Sequence, residues 1–173
     1  MVRLYVAITV DGYIARKDGR VDFLDVYNPN DFGFQRFLAQ VGIIIMGRAS
    51  YDQAAAFADW PYVGKRIVVL THRPLAVTKP GVECYSGDLR SLIANLRCDT
   101  TQDIWVFGGA RVARDMLDAN LIDQIELFVI PLLLGEGKPL FPPSAKPTRL
   151  RLDRTERYSP SGVVELVYRR IAP

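Results

Sequence analysis

The sequence predicts an α/β fold in which a mostly parallel central sheet carries helices on both faces and ends in an antiparallel C-terminal hairpin. Three observations lead there. Short apolar runs rich in β-branched residues alternate with amphipathic segments of helical spacing along most of the chain. Glycines stand where such runs pass into helical segments, at Gly47 and at Gly108-Gly109. Beyond Leu150 the pattern becomes an alternation of apolar and polar residues around Ser159-Pro160-Ser161-Gly162, which reads as an antiparallel pair with one wet face.

The first run, Val2–Val10, is apolar and β-branched enough for a buried strand. Residues 11–22 hold Gly12, Gly19 and many charges and read as a long loop. Asn28-Pro29-Asn30-Asp31 is a helix-start signal, after which Phe34, Phe37, Leu38 and Val41 recur at helical spacing until Gly42 stops them. Ile43–Met46 is a continuous apolar strand, and Gly47 turns the chain into a helix over Ala49–Ala58. Arg66–Leu70 and Val82–Tyr85 are strands, and Asp88 caps a helix carrying Leu89, Leu92, Ile93 and Leu96. Ile104–Phe107 is a strand ending on Gly108-Gly109, and Val112, Ala113, Met116 and Leu117 form the apolar face of the next helix. Ile125–Ile130 is a strand, and Leu150–Tyr158 with Val163–Ile171 complete the sheet.

Counting narrows the chemistry. A chain of 173 residues is expected to form one domain over 1–173. Its 22 Lys and Arg against 19 Asp and Glu leave a net charge of +3, too small and dispersed for a nucleic-acid surface but suited to an anionic small molecule. One histidine and two cysteines cannot build a four-ligand Cys/His zinc site, and they are too few for a disulfide scaffold. No apolar run approaches membrane-spanning length, so the expectation is a cytoplasmic protein with reduced thiols. Cys84, inside an apolar strand, is expected in the core, and Cys98 at a helix end or the surface. Phe32, Phe34, Phe37 and Trp105 are expected in the core, Trp60 in loop packing, and Arg149, Arg151, Arg169 and Arg170 on the solvated face of the terminal strands. Glu136 and Lys138 read as solvated turn residues, with a substrate or subunit contact as the alternative.

In open parallel sheets, ligands bind beyond the carboxyl ends of the strands, where helix N-termini converge. Met46-Gly47-Arg48-Ala49-Ser50-Tyr51 and Phe107-Gly108-Gly109-Ala110-Arg111 both run from strand into helix. Glycine lets backbone approach a phosphate, the helix N-terminus offers unpaired N–H groups, Ser50 adds a hydroxyl and Arg48 a fork of donors. Either turn alone is ordinary turn chemistry as readily as a phosphate site; the pair in one small domain favours the site. Neither is a Walker A loop, and Gly108-Gly109 lacks the third glycine of the dinucleotide fingerprint.

The motifs in order resemble the dihydrofolate reductase superfamily, and within it the branch holding the C-terminal reductase domain of the riboflavin-biosynthesis enzyme and its small stand-alone relatives. The resemblance is carried by Thr9-Val10-Asp11-Gly12-Tyr13-Ile14-Ala15, the Met46–Tyr51 turn, Val106-Phe107-Gly108-Gly109-Ala110-Arg111 and the run from Pro131 to Phe141. The resemblance implies a dihydrofolate-reductase-like three-layer fold and binding of NADPH. It implies that Arg48 meets the 2′-phosphate side and Gly47 with Ser50 the pyrophosphate. Leu70, Thr71, His72 and Arg73 would lie by the adenosine, although His72 read from its loop position alone is an exposed bystander. Phe107, Gly108, Gly109, Ala110, Arg111 and Val112 would form the diphosphate turn, in which the family often has a cis peptide. Ala7, Ile8 and Ile14 would line the nicotinamide pocket. A homodimer is likewise expected by resemblance.

Reduction of a C=N bond needs a proton beside the hydride. Asp31 aligns with the carboxylate that binds the pteridine in folate reductases, though a helix N-terminal charge or cap accounts for it equally well. Asp11 is the second candidate acid, its plainer role being to shape the turn before Gly12. The expected activity is therefore NADPH-dependent reduction of a pyrimidine- or pteridine-type small molecule, most like the ribosylaminopyrimidine reductase of riboflavin biosynthesis. Alternatives are a nucleotide-binding module without efficient catalysis and a dihydrofolate reductase. Against the latter, residues 16–25 lack the tryptophan of the folate enzymes' loop.

Overall fold

Burial on two faces explains why the central strands read as unbroken apolar runs. The computed structural model describes residues 1–27, 31–57, 60–77, 79–141 and 147–171. Its main sheet has eight strands in the order β5-β4-β3-β6-β1-β7-β10-β9. These are β1 (Val2–Thr9), β3 (Val41–Gly47), β4 (Arg66–Leu70), β5 (Val82–Tyr85), β6 (Asp103–Gly108), β7 (Gln124–Ile130), β9 (Leu150–Tyr158) and β10 (Val163–Arg170). Neighbours from β5 across to β7 are parallel. β10 is antiparallel to β7 and β9 to β10, so the terminal hairpin closes that edge as expected. Two short strands, β2 (Tyr13–Ala15) and β8 (Lys138–Pro139), pair separately.

Helices α1 (Phe34–Gln40) and α2 (Arg48–Ala55) cover one face, where Phe37, Leu38, Tyr51 and Ala54 bury against Ile44, Met46, Ile67, Val69 and Trp105. Helices α3 (Leu89–Asp99) and α4 (Ala110–Asp118) cover the other, with Leu92, Ile93, Leu96, Val112, Ala113 and Met116 on Leu4, Ile43, Ile45, Ile104 and Val106. This is the three-layer α/β arrangement. Alternate residues of β3 serve opposite layers, as period 2 requires.

Several boundaries differ from the sequence reading. Val41 is not a helical residue: its backbone is already extended (φ −82°, ψ 128°), and it opens β3 fully buried. Gly42 is therefore inside the strand, where a Cβ would lie 2.9 Å from Gln102 Oε1. Helix α2 begins at Arg48 and stops at Ala55, and Ala58, the expected end, lies outside the described residues, as do Asn28–Asn30 of the helix-start signal. The loop over 11–22 contains β2, whose partner β8 is more than a hundred residues away and leaves no local periodicity. Cys84 is exposed, because β5 is an edge strand whose middle residues face solvent; Cys98 is exposed too. Trp105 and Phe37 are core residues, Tyr5 stacking on Phe37 at 4.0 Å. Among the described residues, no helix is long and apolar enough to cross a membrane.

Candidate active site

The site begins where two parallel strands part. β1 and β6 are paired only from Val2 with Ile104 to Leu4 with Val106; beyond that β1 pairs with β7 alone as far as Thr9. Tyr5, Val6 and Ala7 thus border an opening between the strands, with Phe107 and Gly109 across it. The Trp105 indole N–H, at 3.1 Å, donates to the Tyr5 carbonyl at the point of parting. A cleft of about 1510 Å³ extends from this opening over the carboxyl ends of β3, β4, β5 and β6. Small-molecule sites run to about 300–1,000 Å³, so this cleft has room for more than one compact ligand.

Two helix N-termini without side-chain caps face it. α2 starts on Gly47 and α4 on Gly109, and neither carries a side-chain cap. Their first N–H groups and positive dipole ends are thus left to the cleft. The glycines also bring the turns together: a Cβ on Gly47 would lie 3.2 Å from Val112 Cγ2, and one on Gly109 3.4 Å from Ser50 Oγ. Gly108 has φ +112°, a region closed to most side chains, and the Gly108–Gly109 peptide is cis. Arg48 is held in place: its Nε contacts both Asp52 carboxylate oxygens at 2.8 and 2.9 Å, and Nη1 donates to the Pro74 carbonyl at 2.9 Å.

Most residues singled out from the sequence meet here. Ala7, Ile14, Gly47, Arg48, Ser50, Leu70, Thr71, His72, Phe107, Gly109, Ala110, Arg111 and Val112 all line the cleft. Thr71 Oγ1 already closes a turn with the Arg73 backbone. Arg111 directs its side chain to solvent, 95% exposed. Ile8 is a correction: the alternation of β1 turns it into the core under α3 and α4, 6% exposed, and it does not line the cleft.

The two candidate acids are also elsewhere. Asp31 is exposed and outside the lining; its Oδ1 accepts from the Gln35 N–H at 3.1 Å, a bond at the start of α1. Asp11 is likewise outside the lining. Its carboxylate accepts from Thr9 Oγ1 at 2.6 Å, Leu134 N at 3.1 Å and Gly135 N at 2.7 Å. The Thr9 hydrogen bond, reinforced by those from Gly135 and Leu134, holds the Asp11 carboxyl below the usual carboxylate range. It is therefore ionised at neutral pH.

Apart from Ile14, and Lys138 as an alternative, the sequence reading missed one wall. Ile14, Ala15, Asp18–Val21 and Leu24 form it together with Gly137, Lys138 and Pro139. Arg20 there is paired with Asp18 at 2.7 Å, and Glu136 is ion-paired with Lys17. Tyr5 and Trp105 at the inner end were also missed as lining, being read only as strand core; no local pattern marks where neighbouring strands separate. Among the described residues, no cluster of three or more His, Cys, Asp or Glu is placed to hold a metal ion.

Comparison with known proteins bears on this cleft. A family model described as the RibD C-terminal domain matches residues 1–164. The uncharacterized YwjB protein of Bacillus subtilis is 33% identical over 169 residues, covering 96% of each chain. A Shewanella sp. PV-4 crystal structure, provisionally assigned to riboflavin biosynthesis, superposes with TM-score 0.88 at 28% identity over 99% of both chains. Dihydrofolate reductase from Enterococcus faecalis, solved with NADP(H), superposes with TM-score 0.70 at 18% identity over 99% of this chain and 97% of that one. The fold is thus dihydrofolate-reductase-like.

Proposed function

The chain belongs to the RibD C-terminal domain family, and on that footing we propose that it is a single-domain reductase using NADPH on a pyrimidine- or pteridine-type small molecule. The ribosylated aminopyrimidines of riboflavin biosynthesis are the substrates this reading puts first. The observation that carries it is the parting of β1 and β6 beside two uncapped helix N-termini in one cleft.

The residues present fit a dinucleotide. The backbone N–H groups following Gly47 and Gly109 suit a pyrophosphate, with the Ser50 hydroxyl beside them. Arg48, oriented by Asp52 and the Pro74 carbonyl, suits the 2′-phosphate with Thr71 and His72 nearby. The half-buried stretch of β1 at Val6 and Ala7, unpaired with β6 and sharing the cleft with Ile14, suits a flat carboxamide-bearing ring. When bound, the nicotinamide supplies the hydride. The chain's own contribution is to position the reactants and to keep water from the inner end with Tyr5, Leu24 and Trp105. Neither candidate acid is placed to give the proton: Asp11 is ionised and committed to other donors, and Asp31 stands outside the lining. A non-catalytic nucleotide-binding module is the second reading, favoured by the position of Asp11 and Asp31 outside the lining.

The test is a titration with NADPH and NADH, followed by tryptophan fluorescence because Trp105 borders the cleft. NADPH is expected to bind more tightly. Arg48→Ala should weaken NADPH about tenfold more than NADH, the scale of a lost charge-assisted contact. Equal losses would remove Arg48 from the 2′-phosphate, and binding of neither dinucleotide would overturn the reductase reading. Binding without turnover of pyrimidine or pteridine substrates would favour the module.

A further inference from the structure

We propose that Asp11 is a positioning residue: its carboxylate is the clip that holds the β2–β8 flap in register and so sets the second wall of the cleft. The inference rests on the reading of the cleft as a dinucleotide site, and it concerns a residue expected from the sequence to act as an acid.

The flap has few other ties. β2 is three residues long and β8 two, with a register shift between Tyr13 and Ala15, so the pairing itself is thin. Strands this short are not stable alone in water. The remaining bonds are concentrated at the Asp11 end. One carboxylate oxygen takes Thr9 Oγ1 and Leu134 N, and the other takes Gly135 N. Thr9 Oγ1 accepts in turn from Tyr13 N at 3.0 Å, and Leu140 N donates to the Gly12 carbonyl at 3.0 Å. Thr9 is 2% exposed, which anchors the set to the end of β1. Two stretches more than a hundred residues apart are thus joined through one anion, beside the Val10–Leu132 and Gly12–Leu140 backbone bonds and the exposed Lys17–Glu136 ion pair. At the other end, the backbones touch so closely that a Cβ on Gly137 would run into the Ala15 carbonyl oxygen. Ala15 and Gly137 both face the cleft, so any slip of one stretch against the other changes its width. An anion fits this place because it faces N–H and O–H donors alone.

The experiment compares wild type with Asp11→Asn, Asp11→Ala and Gly137→Ala. Asn keeps one oxygen acceptor and loses the other, so the expected order of NADPH affinity is wild type, Asn, Ala. Ala should bind about tenfold more weakly or worse, on the scale of hydrogen bonds lost to a charged group. Gly137→Ala should weaken binding in the same direction by forcing β2 from β8. For any variant that turns over, kcat at saturating NADPH and substrate should stay within about twofold while KM rises, the mark of lost positioning. Amide hydrogen exchange at Leu134 and Gly135 should quicken in Asp11→Asn while protection in β1, β3 and β6 is retained. If Asp11→Ala fails to fold, Asp11→Asn and Gly137→Ala carry the comparison.

Unchanged exchange at Leu134 and Gly135 in Asp11→Asn would overturn the clip. So would a fall in kcat with NADPH affinity preserved, which would return Asp11 to the reaction itself. If the wild type binds neither dinucleotide while exchange at Leu134 and Gly135 rises as expected, the cofactor reading fails and the clip stands.

Discussion

Arg3 lies in the middle of a sheet, 7% exposed, a position that burial alone makes hostile to a charge. It is matched on every side. Nε and Nη2 make a two-pronged bond to Glu126 at 2.6 and 2.8 Å, and Nη1 reaches Asp103 at 2.7 Å and Gln40 at 2.8 Å. Burial acts to lower the Arg3 pKa, but the bonds to Glu126 and Asp103 outweigh it and the net shift is upward. Arg3→Ala leaves Glu126, 2% exposed, without its partner, and is expected to cost about 3–5 kcal/mol in urea unfolding. Replacing both residues by apolar ones of similar size should cost much less, because no lone charge remains buried. A loss under about 1 kcal/mol for Arg3→Ala would contradict the pairing.

At the scale of elements, the helix N-termini divide into two kinds. Asp88 caps α3, its Oδ2 accepting from the Ser91 N–H at 2.8 Å. Asp88→Ala is expected to cost about 1 kcal/mol of stability, measured by chemical denaturation. α2 and α4 have no such side chain, although Ser86, Gly87 and Leu89 bring the start of α3 to the same cleft. The cap on α3 serves the fold, whereas α2 and α4 leave their first N–H groups open to the cleft, where the proposed dinucleotide would meet them. That division was legible in the sequence: Asp88 stands before an amphipathic run, whereas Gly47 and Gly109 follow apolar strands. The β2–β8 flap was not legible. Two or three residues show no alternation, and their pairing depends on Asp11 meeting Leu134 and Gly135 in space.

For the whole molecule, the carboxylates set how stability depends on pH. Asp11, Asp18, Asp22 and Asp88 are held below the usual range, chiefly by hydrogen bonds from Thr9, from the Arg20 backbone and side chain, from Arg16 and from Ser91 respectively. Burial pushes Asp103 upward, yet the N-terminal ammonium and Arg3 together outweigh it and bring it down. A group depressed in the folded state contributes stability above its unfolded pKa, about 4, and loses it as pH falls through the folded value. Glu165, 3% exposed, runs the other way: burial raises it against the pull of Arg154, so its contribution favours the fold at low pH and fades as pH rises. Five depressed groups outnumber one raised group, so Tm followed by circular dichroism should hold nearly level above about pH 5 and fall from there towards pH 3. A flat profile would show that these pairings do not operate in solution.

The sequence by itself determined the three-layer α/β class, the central strands and the two glycine turns. Each of these depends on information local in the chain: apolar runs buried on both faces, helical spacing, and glycine where backbone must come close. Only the tertiary structure decided that Ile8 turns into the core, that Cys84 sits on an exposed edge, that β1 parts from β6 beyond Leu4, and that Asp11 faces two amides rather than the cleft. Those outcomes depend on strand order and on contacts between residues far apart in the chain, which no local pattern encodes.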